Sequence, residues 1–551
     1  MYFSAGAAFK EPSRVFSFCM TLRYSSLLLL FAATACGRET YFQPDARVDF
    51  ATPLPPTADS ARVTAGRHYH RGPLGRLLLG THHRPSWVQP VSLPVLKPQS
   101  VVAGGLKFSK MGGGFQTTSV TLISPEGRNY ALRTIDKDPY RTLPKVLRQG
   151  FVLTAVRDAT SAGLPYGAFV VPPLAQAAGV PHTTPRPFYV RADEVGLGDA
   201  SERFQGKVVL LEEKFEGKQN IFGPVDGATA LEESDDVLAE LYATPGHKLD
   251  GEAFLRARLL DIWLGDWDRH EGQWSWAAYP QPTGQTLWRP VPQDRDQVFF
   301  RFDDGAIPWL ISKLASKFRT FRPRYQSTEG YTRNASFIDE RALAEVSRPA
   351  YRRIALDLQA RLTDEVITRA VRQGLPAEVY RKQGPLLEEA LRARRAKLPQ
   401  VANEFYALKA RQVVVAGTDQ NERFVVERRS DTTTVVSVYQ IPADKSQKKP
   451  LLLYQRSFNP THTRTVVLHG LQGKDEFIVS GQVRRSPFLD IYGGPGSDVV
   501  QDSSRVAGWR KRTRFYDTRR NNELEIIGPE FKDRTEHSVK PHAFDRDGSG
   551  R

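Results

Sequence analysis

Two acidic runs carry the most legible chemistry in this chain. The first, LLDIWLGDWDRHEGQW at residues 259–274, places Asp266, Asp268 and His270 directly after an apolar helix, where a loop presents them at a cleft. The second, PVPQDRDQVFFRFDDG at 290–305, puts Asp294 and Asp296 just before the apolar run from Val298 to Phe300. Carboxylates at this spacing suit a divalent cation that bridges phosphate oxygens, with a further carboxylate left to orient or deprotonate a hydroxyl. The same cluster of Asp266, Asp268, His270 and Asp294 could instead activate a water molecule. A DRH triplet alone reads equally well as an Asp–Arg ion pair on a surface loop.

The elements that must position these residues are readable on both sides. Upstream, MGGGFQTTSVTL offers Gly112, Gly113 and Gly114, whose bare backbone can approach phosphates, with Thr117 and Thr118 adding hydroxyls. Two strands follow, joined at the Glu126–Gly127 turn, and the second, YALRTIDKDP, contributes Arg133 and Lys137. The strand KVVLLEE ends in Glu212 and Glu213, which solvation alone would also explain. Helices are expected over FVVPPLAQAAG and GEAFLRARLLDIWLG, and apolar recurrence at three to four residues predicts a helical stretch over 339–410. After Ala410 the pattern changes to alternating strands, RQVVVAG, RFVVERR, TTVVSVYQI, TRTVVLHG, DEFIVSG and FLDIYGG.

In this order the motifs resemble atypical kinase-like proteins, the class that includes HipA toxin kinases, phosphoinositide kinases and the Golgi casein kinase group. The resemblance implies that GDWDRHEGQW is the catalytic loop, with Asp268 orienting the acceptor hydroxyl and His270 beside it. It implies that PQDRDQVFF supplies the metal ligand before a short strand, Asp294, with Asp296 as the alternative, and that Asp266 and Gln273 lie close to the metal. Gln273 stands where HipA-type loops carry a metal-binding Asn, one methylene shorter. Arg133 takes the place of the phosphate-binding lysine; arginine grips phosphate bidentately but is bulkier. Lys137 is the substitute, and Glu212 and Glu213 match the strand end that holds a nucleobase. The implied cofactors are magnesium or manganese, with ATP or another phosphate donor.

The order from GTHHRPSWVQPV through PQDRDQVFF also resembles a module of large bacterial envelope proteins, in which it lies between a metallophosphoesterase domain and a surface-antigen-type outer-membrane barrel. That resemblance implies a barrel or phosphoesterase partner. The expected fold is α+β: a two-lobed kinase-like domain over 66–410, with lobes at about 100–215 and 216–410, then a β-rich domain over 411–528, solenoid- or sandwich-like.

Composition bounds the rest. Hydrophobic residues make up 40% of the 551, ordinary for a folded chain, and no apolar run approaches the ~20 residues of a membrane span, so any attachment to a membrane is an anchor. Arg23, the apolar run Leu27 to Ala33 and the small residues before Cys36 form a lipoprotein-type leader over 1–36, which predicts an exported protein lipid-anchored at the outer membrane or in the periplasm. Of the two cysteines, cleavage would remove Cys19 and lipidate Cys36, leaving no thiol for a disulfide. Residues 37–65, rich in Pro, Ala and Thr, are expected as a flexible tether, and 529–551 as a disordered tail. The formal charge of +16 is spread along helices and the C-terminal strands, which favours an acidic glycan or phosphate-bearing substrate over nucleic acid.

Two further patterns are weaker. GGPGSDVVQ at 493–501 fits a calcium-binding β-roll turn, with GLQGKDEFI at 470–478 as a degenerate copy, making Asp498 and Asp475 candidate calcium ligands. Their 23-residue offset differs from the 18 of stacked β-roll turns, which argues against a shared ion. The pairs His68 with His70 and His82 with His83 lack nearby acidic or thiol ligands and are expected to be structural. Three functions follow: an envelope phosphotransferase, a non-catalytic scaffold on the same fold, or a metal-dependent phosphohydrolase.

Overall fold

The computed structural model describes residues 41–112, 117–442, 450–518, 522–538 and 543–548. The leader with Cys36, and Gly113 and Gly114, lie outside the described residues. The fold is α+β, as expected: a small sheet lobe, a mainly helical lobe and a strand-rich C-terminal domain.

The sheet lobe is a five-stranded antiparallel sheet. From edge to edge its strands are Lys107–Met111, Ser119–Ile123, Asn129–Thr134, Val208–Glu213 and Arg186–Tyr189. Alternation decides its two faces. Val120, Leu122, Leu132, Val209 and Leu211 pack together on one side, which leaves Arg133, Leu210 and Glu212 facing the helical lobe. The turn between the second and third strands needs Gly127, whose φ is +79°.

The helical lobe is built around Gly251–Leu264, buried from Ala257 to Leu264. Asp250 caps its first turn by accepting from the Ala253 amide at 3.0 Å. Gly265 ends it in the left-handed conformation, φ +73°, where a Cβ would come within 2.8 Å of Phe321. That stop throws the DWDRH run out of the helix and into a loop. Helices Arg348–Arg361, Asp364–Gly374, Ala377–Ala396 and Leu398–Ala410 complete the lobe.

A hairpin joins the two acidic runs. Strand Trp274–Pro280 starts where the first run ends, and strand Thr286–Pro292 ends where the second begins. They pair antiparallel with Trp274 opposite Pro292, and the Gln293 amide donates to the Gln273 carbonyl at 3.0 Å. Hairpin closure therefore fixes the two loops side by side. The second run does not lead into the short strand expected near Val298; it continues as a loop in which Asp294 and Phe299 have φ of +52° and +58°.

The C-terminal domain is a β-solenoid. One face stacks Gln412–Ala416, Thr465–His469, Phe488–Tyr492, Thr513–Tyr516 and Phe531–Asp533 in parallel. The other stacks Glu422–Ser430, Glu476–Ser480, Val499–Asp502 and Glu523–Ile527 in parallel, with strands Thr433–Gln440 and Leu452–Phe458 added antiparallel on the Glu422–Ser430 side. Inward Phe424, Val426, Phe477, Val479, Ile491 and Phe515 fill the space between the faces.

Two expectations are corrected. The described part of the expected tether is packed: Ser60–Val63 pairs with Val91–Pro94, Ala46 and Val63 are fully buried, and Asp45 accepts from Tyr189. Small apolar residues scattered among prolines give no periodicity, so their burial was not readable. The described part of the tail is ordered by two isolated aromatics. Phe531 enters the solenoid core, and Phe544 packs edge-on to Tyr242 at 5.0 Å while Arg546 bonds Asp419 at 2.9 Å. Among the described residues no helix is long and apolar enough to cross a membrane.

Candidate functional site

The two acidic loops meet the inner face of the sheet lobe. Arg133, on strand Asn129–Thr134, pairs with Glu212 on the neighbouring strand and lies 3.9 Å from Asp294. Lys137, just beyond the same strand, pairs with Asp296. Asp268 accepts from the Asn334 side-chain amide at 3.0 Å, and its own amide donates to Asp266 at 3.2 Å. Asp268 lies close enough to Asp294, Lys137 and His270 for each to perturb it. The loops thus converge on one cleft.

Electrostatics divides the acids. Burial pushes Asp294 up, yet Arg133, Lys137 and Arg269 outweigh it and hold that carboxyl below the ordinary value. Asp268 is raised by burial, against the pull of Lys137 and His270. Asp296 is raised by burial and by the charge of Asp294, against Lys137. Asp266, 1% exposed, is pushed up to about 7 by burial despite Arg269. Burial works to strip Lys137 of its proton, but Asp296 and Asp294 outweigh it and keep its pKa above the ordinary value. Asp294, held below its ordinary value, therefore stands beside two retained cations.

The remaining expected residues fall as follows. Gln273 is buried, and its side-chain oxygen accepts from Arg269 at 3.1 Å, so that oxygen is committed to a guanidinium. His270 accepts from the Gly272 amide at 3.2 Å, capping a short turn. Glu212 is not a solvated strand end: it is buried, holds Arg133 and accepts from Thr183 at 2.6 Å. Glu213 accepts from the Thr184 amide. Gly112 closes the first strand pair, its amide donating to Ser119, and Thr117 is half-buried just before Ser119–Ile123. Asp475 and Asp498 lie in the solenoid, away from this cleft. The expectation that the histidine pairs lack nearby acids is corrected for two of them: His68 lies 3.3 Å from Asp136 and His82 3.5 Å from Asp304, while His82 also contacts Ser161 and the Phe302 carbonyl and His83 the Phe299 carbonyl.

Sequence reasoning missed the support beneath the loops. Asp261, wholly buried, is surrounded by Arg258, Arg269 and Arg295, and Arg258 also bonds Asp339 at 2.7 Å. The available signal was a charged pair, Arg258 and Asp261, inside an otherwise apolar helix. Asn334 gave no signal beyond a glycosylation-like triplet. Beside Lys137 and Asp296 opens a cavity of about 370 Å³, walled by Trp87, Ile135, Leu210, Trp267 and Phe302.

The donor set suits a hard divalent cation in part. Asp294 Oδ1 is buried with no hydrogen-bond donor among the described residues, and oxygen donors suit magnesium or manganese. Among the described residues, however, no three His, Cys, Asp or Glu side chains are grouped so as to hold a metal. Asp294 is the ligand that fits, with Asp296 engaged by Lys137.

No family model and no curated protein matches the chain. Among solved structures it is similar to the proinflammatory kinase CtkA of Helicobacter pylori, at 13% identity and a TM-score of 0.29, over 54% of this chain and 95% of that one. It is similar to a HipA, HipB and operator DNA complex of Shewanella oneidensis MR-1, at 13% identity and a TM-score of 0.22, over 54% of this chain and 67% of that one. It is similar to the Golgi casein kinase with Mn/ADP bound, at 11% identity and a TM-score of 0.27, over 56% of this chain and 75% of that one. With overlap this limited, the case for the cleft rests on its own geometry.

Proposed function

We propose that the cleft is the site of a kinase-like phosphotransferase that uses ATP or another phosphate donor with magnesium or manganese. The observation that carries this reading is the convergence of Asp268 and Asp294, from separate loops, beside Arg133 and Lys137. Asp268 is held by Asn334 and orients the acceptor hydroxyl, taking its proton as phosphorus is attacked. Arg133 and Lys137 exchange their carboxylate partners for phosphate oxygens when the donor binds. Asp294 would hold the cation, which would supply positive charge against the negative charge that builds during transfer. The test is thermal shift with ATP and manganese: stabilisation that Asp294→Asn removes supports the reading, and no stabilisation at millimolar ligand overturns it.

A non-catalytic scaffold is favoured by one observation, the engagement of Gln273 by Arg269 where a second metal ligand is expected. Binding without transfer to any acceptor would select it. Phosphate release without an acceptor would select the hydrolase.

An envelope setting belongs to the same proposal, with the chain anchored through a lipid on Cys36. A wide cavity of about 1360 Å³ between the helical lobe and the solenoid, with Arg333, Lys409, Arg411, Arg464, Arg510 and Lys511 among its basic lining residues and Glu329, Glu340, Asp490 and Asp533 as its acidic ones, has a basic excess that supports an acidic glycan or phosphate-bearing partner. Mass spectrometry of the N-terminal peptide tests the anchor: an unmodified Cys36 rules it out.

A further inference from the structure

The solenoid contains a second acidic array that the cleft does not explain. Each strand on one face runs into the same turn position, occupied by Gly417, Gly470, Gly493 and then Asp517. From 417 to 422, 470 to 475, 493 to 498 and 517 to 522, the same step leads to Glu422, Asp475, Asp498 and Asn522 at the start of the opposite face. These side chains stack. The Glu422 amide donates to Asp475 Oδ1 at 2.8 Å, the Asp475 amide to Asp498 Oδ1 at 3.0 Å, and the Asp498 amide to Asn522 Oδ1 at 3.0 Å.

That ladder uses Oδ1 of Asp475 and of Asp498, and the Thr518 amide donates to Oδ1 of Asp517. The others, Asp475 Oδ2, Asp498 Oδ2 and Asp517 Oδ2, are buried with no hydrogen-bond donor among the described residues. The side chains are not solvated either, since Asp475 and Asp498 are 1% exposed and Asp517 3%. Glu422 differs: Thr418 donates to it from both its amide and its hydroxyl, closing the first turn. Among the described residues, the charges acting on Asp475 are those of Glu422 and Asp498, and the charge acting on Asp498 is that of Asp517, all acidic. A buried acid left so must either bind a proton or bind a cation.

Geometry brings the unpaired oxygens together. The point at which a Cβ on Gly493 would sit lies 2.0 Å from Asp517 Oδ2 and 2.3 Å from Asp498 Oδ2. The same point on Gly470 lies 2.3 Å from Asp475 Oδ2 and 2.5 Å from the Gly493 carbonyl oxygen. Asp498 Oδ2 and Asp517 Oδ2 thus face each other beside the bare Cα of Gly493, near enough for one calcium ion, displaced from the Cβ position, to reach both at about 2.3–2.6 Å. Two acids fall short of the three-residue metal groups absent among the described residues. Calcium is the ion for such a pair, because it completes an irregular shell with carbonyl and solvent oxygens.

We infer that the turn at Gly493 is a calcium site, with Asp498 and Asp517 as its carboxylate ligands, and that Asp475 with the Gly493 carbonyl forms an adjoining position on the same stack. This site does not depend on the cleft or on any catalytic activity. The pairing also differs from a β-roll repeat, since the acids that converge are Asp498 and Asp517 rather than Asp475 and Asp498.

The test is calorimetric titration of the full chain with calcium chloride, paired with melting curves in calcium or chelator. Binding and a calcium-dependent rise in Tm are expected, with Asp498→Asn and Asp517→Asn each weakening binding at least about tenfold by removing a charged ligand. Asp294→Asn should leave calcium binding unchanged, which separates this site from the cleft. Terbium provides a second measurement in a conservative variant: Tyr516, stacked on Tyr492 at 4.8 Å and adjacent to Asp517, should sensitise its emission, and Tyr516→Phe should reduce it. No calcium binding by the folded chain, binding retained in the Asp498→Asn/Asp517→Asn double variant, or terbium emission unchanged by Tyr516→Phe would each overturn the assignment.

Discussion

The cleft and the solenoid turn use the same residue type in opposite ways. In the cleft, Asp294 and Asp296 face Arg133 and Lys137, and Asp294 stays below its ordinary pKa despite burial. In the turn, Asp475 and Asp498 face other acids, and burial pushes them up to about 10 and about 7. A cleft that carries its own cations can exchange partners when a phosphate arrives, since the incoming oxygens replace carboxylates already held. A turn without them can only take up charge from outside. The first arrangement suits a turnover site and the second a resident ion.

The largest effect that could break this comparison is at Asp268. Asp268→Ala should lower phosphoryl transfer by about 10²–10⁴-fold, the range for loss of a positioned acid or base, while circular dichroism and Tm stay near wild type. Full activity in the variant removes Asp268 from the chemistry.

Next in size is the support under the loops. Asp261→Asn leaves Arg258, Arg269 and Arg295 buried around a neutral group, and breaking such an arrangement costs about 3–5 kcal/mol. Denaturant unfolding should show that loss as a lower midpoint. A midpoint within error of wild type would mean the arginines are satisfied without Asp261.

Acid offers a smaller and more selective probe of the lobes. Burial lowers His82 to about 3 and His83 to about 4 from an ordinary value of 6.5. A His whose folded pKa is depressed stabilises the fold above the unfolded pKa and loses that contribution as pH falls towards the folded one. The window is therefore about pH 6.5 down to about pH 4. Asp266, pushed up to about 7 by burial, works in the other direction, so the reading is a difference: His83→Gln should flatten the fall in Tm with acid relative to wild type. An unaltered slope would show that His83 is not excluded from protonation.

How much of this was legible depended on whether the signal was local. Helix Gly251–Leu264, its stop at Gly265 and the loop of Asp266, Asp268 and His270 follow from an apolar run ended by glycine. The alternating strands after Ala410 were equally plain, although the choice of a solenoid over a sandwich needed the parallel pairing. What stayed hidden were partners distant in sequence. Arg133 reaches Glu212 across the sheet, Asp268 meets Asn334 from another element, and Asp517 joins Asp498 only because coils stack. Gln273 looked like a ligand because its amide can coordinate, and Arg269 in the same loop turned out to occupy it.

Asn334 gives the finest test, because its effect should appear in the pH profile before it appears in stability. Its amide donates to Asp268 Oδ1 at 3.0 Å, a contact that favours the charged carboxylate and fixes its direction. Burial already raises Asp268, so loss of the donor should raise it further and move the acidic limb of the rate profile to higher pH. With Asn334→Ala we expect kcat to fall about tenfold with KM little changed, as for a contact that matters most in the transition state. Stability should change by no more than about 1–3 kcal/mol, the range for an unpaired buried group. A drop in Tm with an unmoved acidic limb would make Asn334 a packing residue, and Asp268 would then owe its orientation to the loop alone.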